Sequence, residues 1–336
     1  MLRAIVLEIW RRSLFWNLAL LVVIGALIGI HIWYRFRTLP ERDWNYRNLE
    51  NINPPNPERF SFAVFGDNKN SHAVFEGVLQ RVSNEKGIAF AIDVGDMVYD
   101  GEKEKYRYFF KQVKRNCTVP LLLAIGNHEL RENGRGLYYE IVGPYYYSFS
   151  IGSAYFIVLD DADEEGLDMW QRGWLEEELE KAQSYKNLFI FLHIPLFDPR
   201  RGAYHHSLPW ESGEELIRLF KRYGVTHIFA SHIHAYYTGE WDGVPFTISG
   251  GAGAELMGTE SDHYFYHYLR VDVDQGKVSI NARKMPSPEF EWADRFAHDA
   301  FLYIYAFVVI HAIDITLFIL IGVLAYIIIR KSIKAR

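Results

Sequence analysis

Two long apolar runs bracket the chain, and a mixed pattern of hydrophobic and polar positions lies between them. Residues 14–34 contain no Asp, Glu, Lys or Arg, and residues 301–329 contain one acidic residue, Asp314. A helix needs about 20 mostly apolar residues to cross a bilayer. Each run therefore predicts a transmembrane helix. A cleaved signal peptide is the alternative for the first run, and a buried core helix is the alternative for both.

The charges beside the two runs predict how the chain is oriented. The tail, residues 330–336, holds Arg and Lys but no acid, and residues 1–13 hold Arg3, Arg11 and Arg12. Basic flanks stay in the cytoplasm, so both ends are expected there. Arg35 and Arg37 follow the first run directly and weaken this argument at the N-terminus. The prediction is a membrane protein with two spans whose middle part lies outside the cytoplasm.

The middle part begins with a linker, residues 35–58, which ends in the Pro-rich stretch "NPPNPE". Hydrophobic runs of strand length then alternate with helical patterns, as in "FSFAVF" followed by "SHAVFEGVLQRV". After about residue 240 the strands follow one another without intervening helices. This order predicts an α/β body over residues 59–290 that becomes β-rich toward its end.

The composition argues against a nucleic-acid-binding protein and against a fold stabilised by internal disulfides. The net charge of −6, with acids and bases mixed along the 336 residues, is not the basic footprint of a nucleic-acid-binding protein. Cys117 is the single cysteine, so no disulfide can form within the chain. We therefore expect no nucleic-acid partner and no disulfide framework.

Polar side chains recur at the carboxyl ends of the predicted strands, and every one of them is Asp, Asn or His. They are Asp67, Asp96, Asn127, His128, His193, His232 and His234. In open α/β sheets this edge is where ligands bind. Carboxylate, amide and imidazole donors suit Mn, Fe or Zn. Two such ions can hold a phosphoryl oxygen and create hydroxide near neutral pH.

The blocks "GD", "GDMVY", "GNHE", "FLH" and "SHIH" occur in this order over about residues 60–285. The chain thereby resembles the calcineurin-like metallophosphoesterases. The resemblance implies an α/β fold of two packed mixed β-sheets flanked by helices, a four-layer sandwich. It also implies a hydrolase that attacks a phosphate ester with a metal-bound hydroxide.

The resemblance further implies roles for single residues. Asp67, Asp96, His234 and Tyr99 would hold a first metal ion, which Asp96 would share with a second ion held by Asn127, His193 and His232. His128 would not be a ligand. It would lie beside the phosphate as an acid or charge stabiliser, oriented by the carboxylate of Asp67.

The segment "FAVFGDNKN" departs from the family pattern. Lys69 stands where many members have the histidine of Asp-x-His, and an ammonium is a poor metal ligand. In the purple acid phosphatases, which the chain resembles most, a tyrosine three residues after the bridging aspartate takes that place, and Tyr99 fits. Tyr99 can equally be an ordinary aromatic residue at a strand end. Lys69 can bind phosphate or mark a one-metal or weak-metal site. Ser231 replaces a glycine that usually precedes the last block.

Several further residues are candidates for contact with the substrate. The pair His205 and His206 resembles a His-His pair near the phosphate in plant-type purple acid phosphatases, in a loop that is longer here. Asn68, Lys69 and Arg200 are candidate phosphate-binding residues.

The sequence thus predicts a membrane-anchored phosphoesterase with two metal ions, Fe, Mn or Zn, acting on a phosphoester that can be lipid-linked. A two-metal phosphodiesterase or pyrophosphatase acting on a lipid-linked substrate is the alternative among enzymes. A non-catalytic membrane receptor or scaffold with a vestigial metal site is the alternative from another class, and Lys69 motivates it.

Overall fold

The structure is a computed structural model that describes residues 2–200, 206–287 and 292–334. The predicted site residue His205 lies outside the described residues. The chain divides into two units. One consists of Met1–Thr38 together with Ile304–Arg336, and the other is Leu39–Tyr303.

The first unit contains the two apolar runs. Helix α1 spans Leu2–Phe36, and the second run is divided at His311 into the end of helix α9 (Trp292–Ile310) and helix α10 (Ala312–Lys334). The sequence predicted one helix over residues 301–329. Phe15–Phe36 and Ala312–Arg330 are long and apolar enough to cross a membrane, and only 6% of each is buried. This exposure argues against buried core helices.

A polar contact joins helices α1 and α10 of this unit. Asp314 Oδ1 lies 3.0 Å from Nδ1 of His31 on α1, and Asp314 Oδ2 lies 3.4 Å from Nδ1 of His311. Carboxylates within apolar helices usually face protein or water because lipid cannot solvate them. Asp314 follows this rule by contacting the neighbouring helix.

The second unit contains two mixed β-sheets. The first has the strand order β11-β10-β1-β2-β3, and the second has the order β4-β5-β6-β7-β9-β8. The strands are β1 (Arg59–Phe65), β2 (Ile88–Asp93), β3 (Leu121–Leu123), β4 (Tyr147–Ile151), β5 (Ala154–Val158), β6 (Asn187–Phe191), β7 (His227–Ala230), β8 (Tyr236–Trp241), β9 (Val244–Ser249), β10 (His267–Asp274) and β11 (Lys277–Lys284).

Helices connect the parallel strands and cover the sheets. The helices of this unit, besides the start of α9 and a 3-10 turn at Arg131–Asn133, are α2 (Trp44–Glu50), α3 (Ala73–Asn84), α4 (Lys103–Asn116), α5 (Asn127–Leu130), α6 (Arg135–Ile141), α7 (Met169–Ala182) and α8 (Trp210–Arg222). Strands β1, β2 and β3 run parallel, as do β5, β6, β7 and β9. The predicted fold class of two mixed sheets flanked by helices is confirmed.

Phenylalanine rings fill the space between the two sheets. Phe62 on β1 is fully buried. Its ring centroid lies 5.1 Å from that of Phe90 in the same sheet and 5.5 Å from those of Phe156 and Phe189 in the other sheet. Aromatic rings bury a large apolar area and add edge-to-face contacts. This core fixes the two sheets against each other, and so it fixes the loops that leave their carboxyl ends.

The acid sensitivity of folding should depend on His267, a fully buried histidine of β10. Its Nδ1 lies 2.9 Å from Phe265 O, and burial lowers the pKa of His267 to about 4. The unfolded chain protonates this group near pH 6.5, so its contribution is complete above that pH and is lost as pH falls toward 4. We expect it to lower the free energy of unfolding at pH 5 by about 2 kcal/mol relative to pH 7.5.

The measurement is urea unfolding of the full chain in detergent at both pH values, in the parent and in the His267→Asn protein. Asparagine can keep a donor near Phe265 O but does not titrate. The pH-dependent loss should be about 2 kcal/mol smaller in the variant. Equal losses in the two proteins would contradict the assignment.

Candidate metal centre

Three candidate ligands stand in the left-handed region of backbone conformation. The φ angles are +56° for Asp67, +58° for Asp96 and +65° for His232. Residues other than glycine rarely adopt this backbone conformation. It costs of order 1–3 kcal/mol and persists only where the surrounding structure imposes it. Such strain is concentrated at functional sites, and here it turns three side chains from different strand ends toward one place.

The loops after β1 and β2 are bonded to each other. Asp67 N donates to Gly95 O at 3.0 Å, and Lys69 N donates to Asp96 O at 2.9 Å. The loop after β3 lies just as close, because a Cβ on Gly126 would stand 2.5 Å from both Asp96 N and Asp96 Oδ1. Glycine is therefore required at residue 126 for the close approach of this loop to Asp96.

Two groups of side chains are arranged to hold metal ions. The His193 group consists of Asp96, His193 and His232, and the His234 group consists of Asp67, Asp96 and His234. Within each group the ligand atoms lie within 4.8 Å of one another. Because Asp96 belongs to both groups, its carboxylate can join two adjacent cation positions.

Asn127 adds an amide oxygen to the His193 group. His193 Nε2 lies 3.3 Å from Asp96 Oδ1 and 3.2 Å from Asn127 Oδ1, the spacing expected between ligands of one ion. Asn127 Nδ2 donates to Glu164 Oε1 at 2.9 Å, and this bond turns the amide oxygen toward His193. His193 Nδ1 lies 2.9 Å from Val94 O, so Nε2 is the ring nitrogen that faces the group.

The His234 group includes two features that the family pattern does not predict. Ser231, which replaces a glycine, donates its hydroxyl hydrogen to Asp67 Oδ2 at 2.5 Å. Asp67 Oδ1 then faces His234 Nε2 at 3.4 Å. The Lys69 ammonium also points here, 2.9 Å from His234 Nε2 and 3.5 Å from Asp96 Oδ2.

The charges of the site favour a bound cation. Burial opposes ionisation of Asp67, but its contact with His234 outweighs this and lowers the pKa of Asp67 to about 2. Burial also opposes a charge on His193, yet Asp96 raises the pKa of His193 to about 10. Burial and the charge of His193 lower the pKa of His232 to about 3, which leaves a neutral ring. A metal ion bound by these groups would displace the His193 proton.

The buried oxygens provide a direct test of whether the residues fit metal ions. Within the described part of the chain, Asp67 Oδ1 and Asp96 Oδ2 are buried and have no hydrogen-bond partner. An unpaired buried carboxylate oxygen is costly unless a cation compensates it. The donors of the His193 group, a carboxylate, an amide and two imidazoles, suit a divalent ion. The unpaired Asp67 Oδ1 lies 3.4 Å from His234 Nε2, and the unpaired Asp96 Oδ2 lies 3.5 Å from Lys69 Nζ. The His234 group has suitable donors but shares them with the Lys69 ammonium.

A cavity of about 420 Å³ opens over both groups. Nine predicted site residues line it, together with Arg131, Glu164, Ile233, Glu255 and Met257. The nine are Lys69, Asp96, Tyr99, Asn127, His128, Arg200, His206, His232 and His234. Asp67 and His193 lie beneath it as members of the two groups. The structure thus brings predicted site residues from the loops after five strands, β1, β2, β3, β6 and β7, to one cavity.

Tyr99 lies at the rim of this cavity. Its side chain is 42% exposed, and its ring centroid lies 5.7 Å from that of His128 and 5.4 Å from that of Tyr303. Its backbone N–H donates to Asn70 Oδ1 at 3.0 Å. Ligation by Tyr99 stays a prediction.

His128 faces the cavity through Nε2. Its Nδ1 lies 2.6 Å from Tyr99 O, and its Nε2 lies 3.6 Å from Asp96 Oδ2. The partner that orients the ring is therefore a backbone carbonyl. The expectation that Asp67 orients it was wrong, because the Asp67 carboxylate is engaged by Ser231 and His234.

The remaining substrate candidates lie in different surroundings. His206 is exposed, and its ring centroid lies 5.6 Å from that of His232. Arg200 lines the cavity, and its Nε and Nη2 donate hydrogen bonds to the Asp198 carboxylate at 2.9 and 2.7 Å. Asn68 is fully buried, and its Nδ2 donates to Asp93 Oδ2 at 2.8 Å. That placement fits a role in joining two loops better than contact with substrate.

Buried acids behind the ligands were not singled out from the sequence. Glu129 accepts hydrogen bonds from the backbone N–H groups of Asp96, Val98 and Gly126, at 2.9, 3.0 and 2.7 Å. Asp161 accepts from the N–H groups of His193 and Ile194. Both acids come shortly after a strand, Glu129 in "GNHE" and Asp161 in "VLDDA". This position after a strand is the feature of the sequence that could have identified them.

Loss of the Glu164 carboxylate should weaken metal binding without unfolding the chain. Glu164→Gln removes a charged acceptor from Asn127 Nδ2, and loss of such outer partners typically lowers metal affinity by about 10- to 100-fold. Titration of Mn²⁺ into the metal-stripped full chain measures this affinity. Glu165→Gln is the matched control, since Glu165 is exposed next to Glu164. Equal affinity in both variants would contradict the role of Glu164.

Comparison with known proteins agrees with this geometry. The family model for calcineurin-like phosphoesterases matches residues 60–236, which is more than half of the chain. The chain belongs to this family. The rat serine/threonine-protein phosphatase CPPED1 (Rattus norvegicus) is 30% identical over 155 residues, covering 41% of this chain and 49% of that protein. The chain thus spans about half the length of the curated relatives it matches first.

Purple acid phosphatases are also among the relatives. The Fe(3+)-Zn(2+) purple acid phosphatase 12 of Arabidopsis thaliana is 30% identical over 102 residues, covering 30% of this chain and 21% of that protein. The structure of the purple acid phosphatase PPD1 from yellow lupin (Lupinus luteus) matches with a TM-score of 0.55 at 18% identity, over 69% of this chain and 52% of that one. The predicted resemblance to this branch is confirmed over part of the chain in sequence and in the fold.

Proposed function

We propose that the chain is a membrane-anchored, metal-dependent hydrolase of phosphate esters. The observation that carries this proposal is the convergence of Asp67, Asp96, His193, His232 and His234 beneath one cavity, with buried carboxylate oxygens that have no other partner among the described residues. Carboxylate, amide and imidazole donors fit Mn, Zn or Fe. A metal ion held there would polarise a phosphoryl oxygen and would make water a nucleophile near neutral pH.

The residues of the cavity wall bind and orient the phosphate. Lys69 and His206 place donors around the cavity, and Arg200 presents a guanidinium already held in place by Asp198. His128 Nε2 points toward the cavity because Nδ1 donates its hydrogen to Tyr99 O. In the cationic ring Nε2 can give its proton to the ester oxygen that leaves, as a general acid does, and burial lowers the pKa of that ring to about 4.

The two apolar helices support the membrane part of the proposal. Only a few residues of sequence separate the domain, Leu39–Tyr303, from the windows Phe15–Phe36 and Ala312–Arg330. The basic tail favours cytoplasmic termini and an extracytoplasmic domain. Such anchoring favours a phosphoester carried by the membrane itself, including a lipid-linked one. Cysteine accessibility at the exposed Ser184, in a Ser184→Cys protein with Cys117→Ser, tests the orientation in sealed vesicles.

Hydrolysis by the purified full chain in detergent tests the proposal. The substrate panel consists of a chromogenic phosphomonoester, a phosphodiester, a pyrophosphate and a lipid phosphate, each with Mn²⁺, Zn²⁺ or Fe and with chelator. We expect metal-dependent hydrolysis of at least one ester, abolished by chelator and by His193→Ala. If the chain binds metal but hydrolyses none of these substrates, the proposal is contradicted in favour of the alternative, a non-catalytic scaffold with a vestigial metal site.

A further inference from the structure

Lys69 is held beside the metal ligands by its own backbone and by its neighbours in sequence. Its φ angle is +43°, and its N–H donates to Asp96 O at 2.9 Å. On one side, Asn68 bonds to Asp93, and on the other the Asn70 side chain accepts a bond from the loop of Asp96. The Lys69 backbone therefore cannot move away from Asp96 without breaking contacts on both sides.

The Lys69 side chain points inward and engages His234. The side chain is 8% exposed, and Nζ lies 2.9 Å from His234 Nε2. His234 Nδ1 lies 2.7 Å from Glu255 O, so Nδ1 carries the hydrogen that is donated to this carbonyl. Nε2 therefore carries the lone pair, and it accepts a hydrogen bond from the Lys69 ammonium.

A metal ion in the His234 group would need the same lone pair. An imidazole nitrogen has one lone pair in the ring plane, and it cannot bind an ammonium hydrogen and a metal ion together. The ammonium also lies 3.5 Å from Oδ2 of Asp96, whose carboxylate belongs to both ligand groups. A divalent ion placed among Asp67, Asp96 and His234 would be repelled by a positive charge fixed at this distance.

We propose that the Lys69 ammonium takes the place of one metal ion, and that each chain binds a single ion, in the His193 group. This inference rests on the proposed function, because it specifies the metal centre of that hydrolase. One ammonium and one divalent ion already bring three positive charges to the two carboxylates of Asp67 and Asp96, and a second divalent ion would raise the total to five. Two of the three ammonium hydrogens face His234 and Asp96. The third serves the phosphoryl oxygen, since Lys69 also lines the cavity.

Metal stoichiometry together with the electron paramagnetic resonance of bound Mn²⁺ tests the inference. The full chain is stripped of metal, saturated with Mn²⁺ and passed through a desalting column. The parent should retain one Mn²⁺ per chain with an uncoupled six-line spectrum. Lys69→His restores an imidazole and should retain two ions, coupled through Asp96. His193→Ala keeps Lys69 but should retain none.

Each outcome separates this inference from the proposed function. Two coupled ions in the parent would overturn the inference and leave the hydrolase intact. One ion in the parent that survives His193→Ala would overturn it too. No ion in the parent or in Lys69→His would overturn the inference together with the metal-dependent hydrolase. A Lys69→His protein that does not fold, as judged by circular dichroism, leaves the parent and His193→Ala to decide.

Discussion

Asp96→Asn should lower the rate of phosphoester hydrolysis by about 10³-fold or more. Asp96 is shared by both ligand groups and is 1% exposed. Asparagine keeps an oxygen for the His128 N–H, which donates to Asp96 Oδ1 at 2.9 Å, but it removes the negative charge that the cation needs. A metal ion supplies several kcal/mol of transition-state stabilisation, and about 4 kcal/mol corresponds to the expected factor. The measurement is kcat/KM for the best substrate of the panel.

Asp100→Asn is the matched control for this variant. Asp100 follows in the same loop and pairs with Lys105, and it belongs to neither ligand group. We expect its kcat/KM to stay within about threefold of the parent, since the Asp100 carboxylate contacts Lys105 and Arg131 and none of the candidate ligands. Comparable losses in the two variants would show that the loop, and not the Asp96 charge, carries the effect.

Glu129→Ala should lower both stability and metal affinity, although Glu129 is not a predicted ligand. The fully buried carboxyl group accepts three backbone N–H groups from the loops of Asp96 and Gly126. A buried donor left without a partner costs about 1–3 kcal/mol, so we expect a loss of about 3 kcal/mol in the free energy of unfolding. Metal affinity should fall by about 100-fold because the Asp96 loop is released.

Urea unfolding and Mn²⁺ titration of the full chain measure the two effects. Glu177→Ala, at an exposed position of helix α7, is the control for loss of a glutamate, and it should leave both quantities nearly unchanged. A Glu129→Ala protein with parental metal affinity would contradict the view that Glu129 positions the ligand loops.

The fold was predictable where hydrophobic periodicity is strong. Phe75, Val78, Leu79 and Val82 recur at helical spacing, and all four are fully buried in α3. Strand β8 was not predicted, because Tyr236–Trp241 is an edge strand with a single buried residue among six and therefore has no apolar run. The division of the second apolar run at His311 was missed for the opposite reason, since uniform hydrophobicity gives no information about where a helix breaks.

The convergence of the candidate ligands was predictable because each of them follows a strand, and parallel strands in register bring their ends together. Phe65 pairs with Asp93 at the ends of β1 and β2, so the loops that begin there meet. Contacts that depend on side-chain orientation were not predictable. The bond of Ser231 to Asp67 and that of Lys69 to His234 join residues more than 160 positions apart in the chain, and spacing along the sequence carries no trace of them.

The anomalous scattering of Mn²⁺ in crystals of the full chain tests the metal centre most directly. We predict a peak within about 2.0–2.3 Å of His193 Nε2 and of an Asp96 carboxylate oxygen, with His232 as a further ligand. Manganese bound only elsewhere on the protein, or no peak in crystals soaked to saturation, would contradict the account.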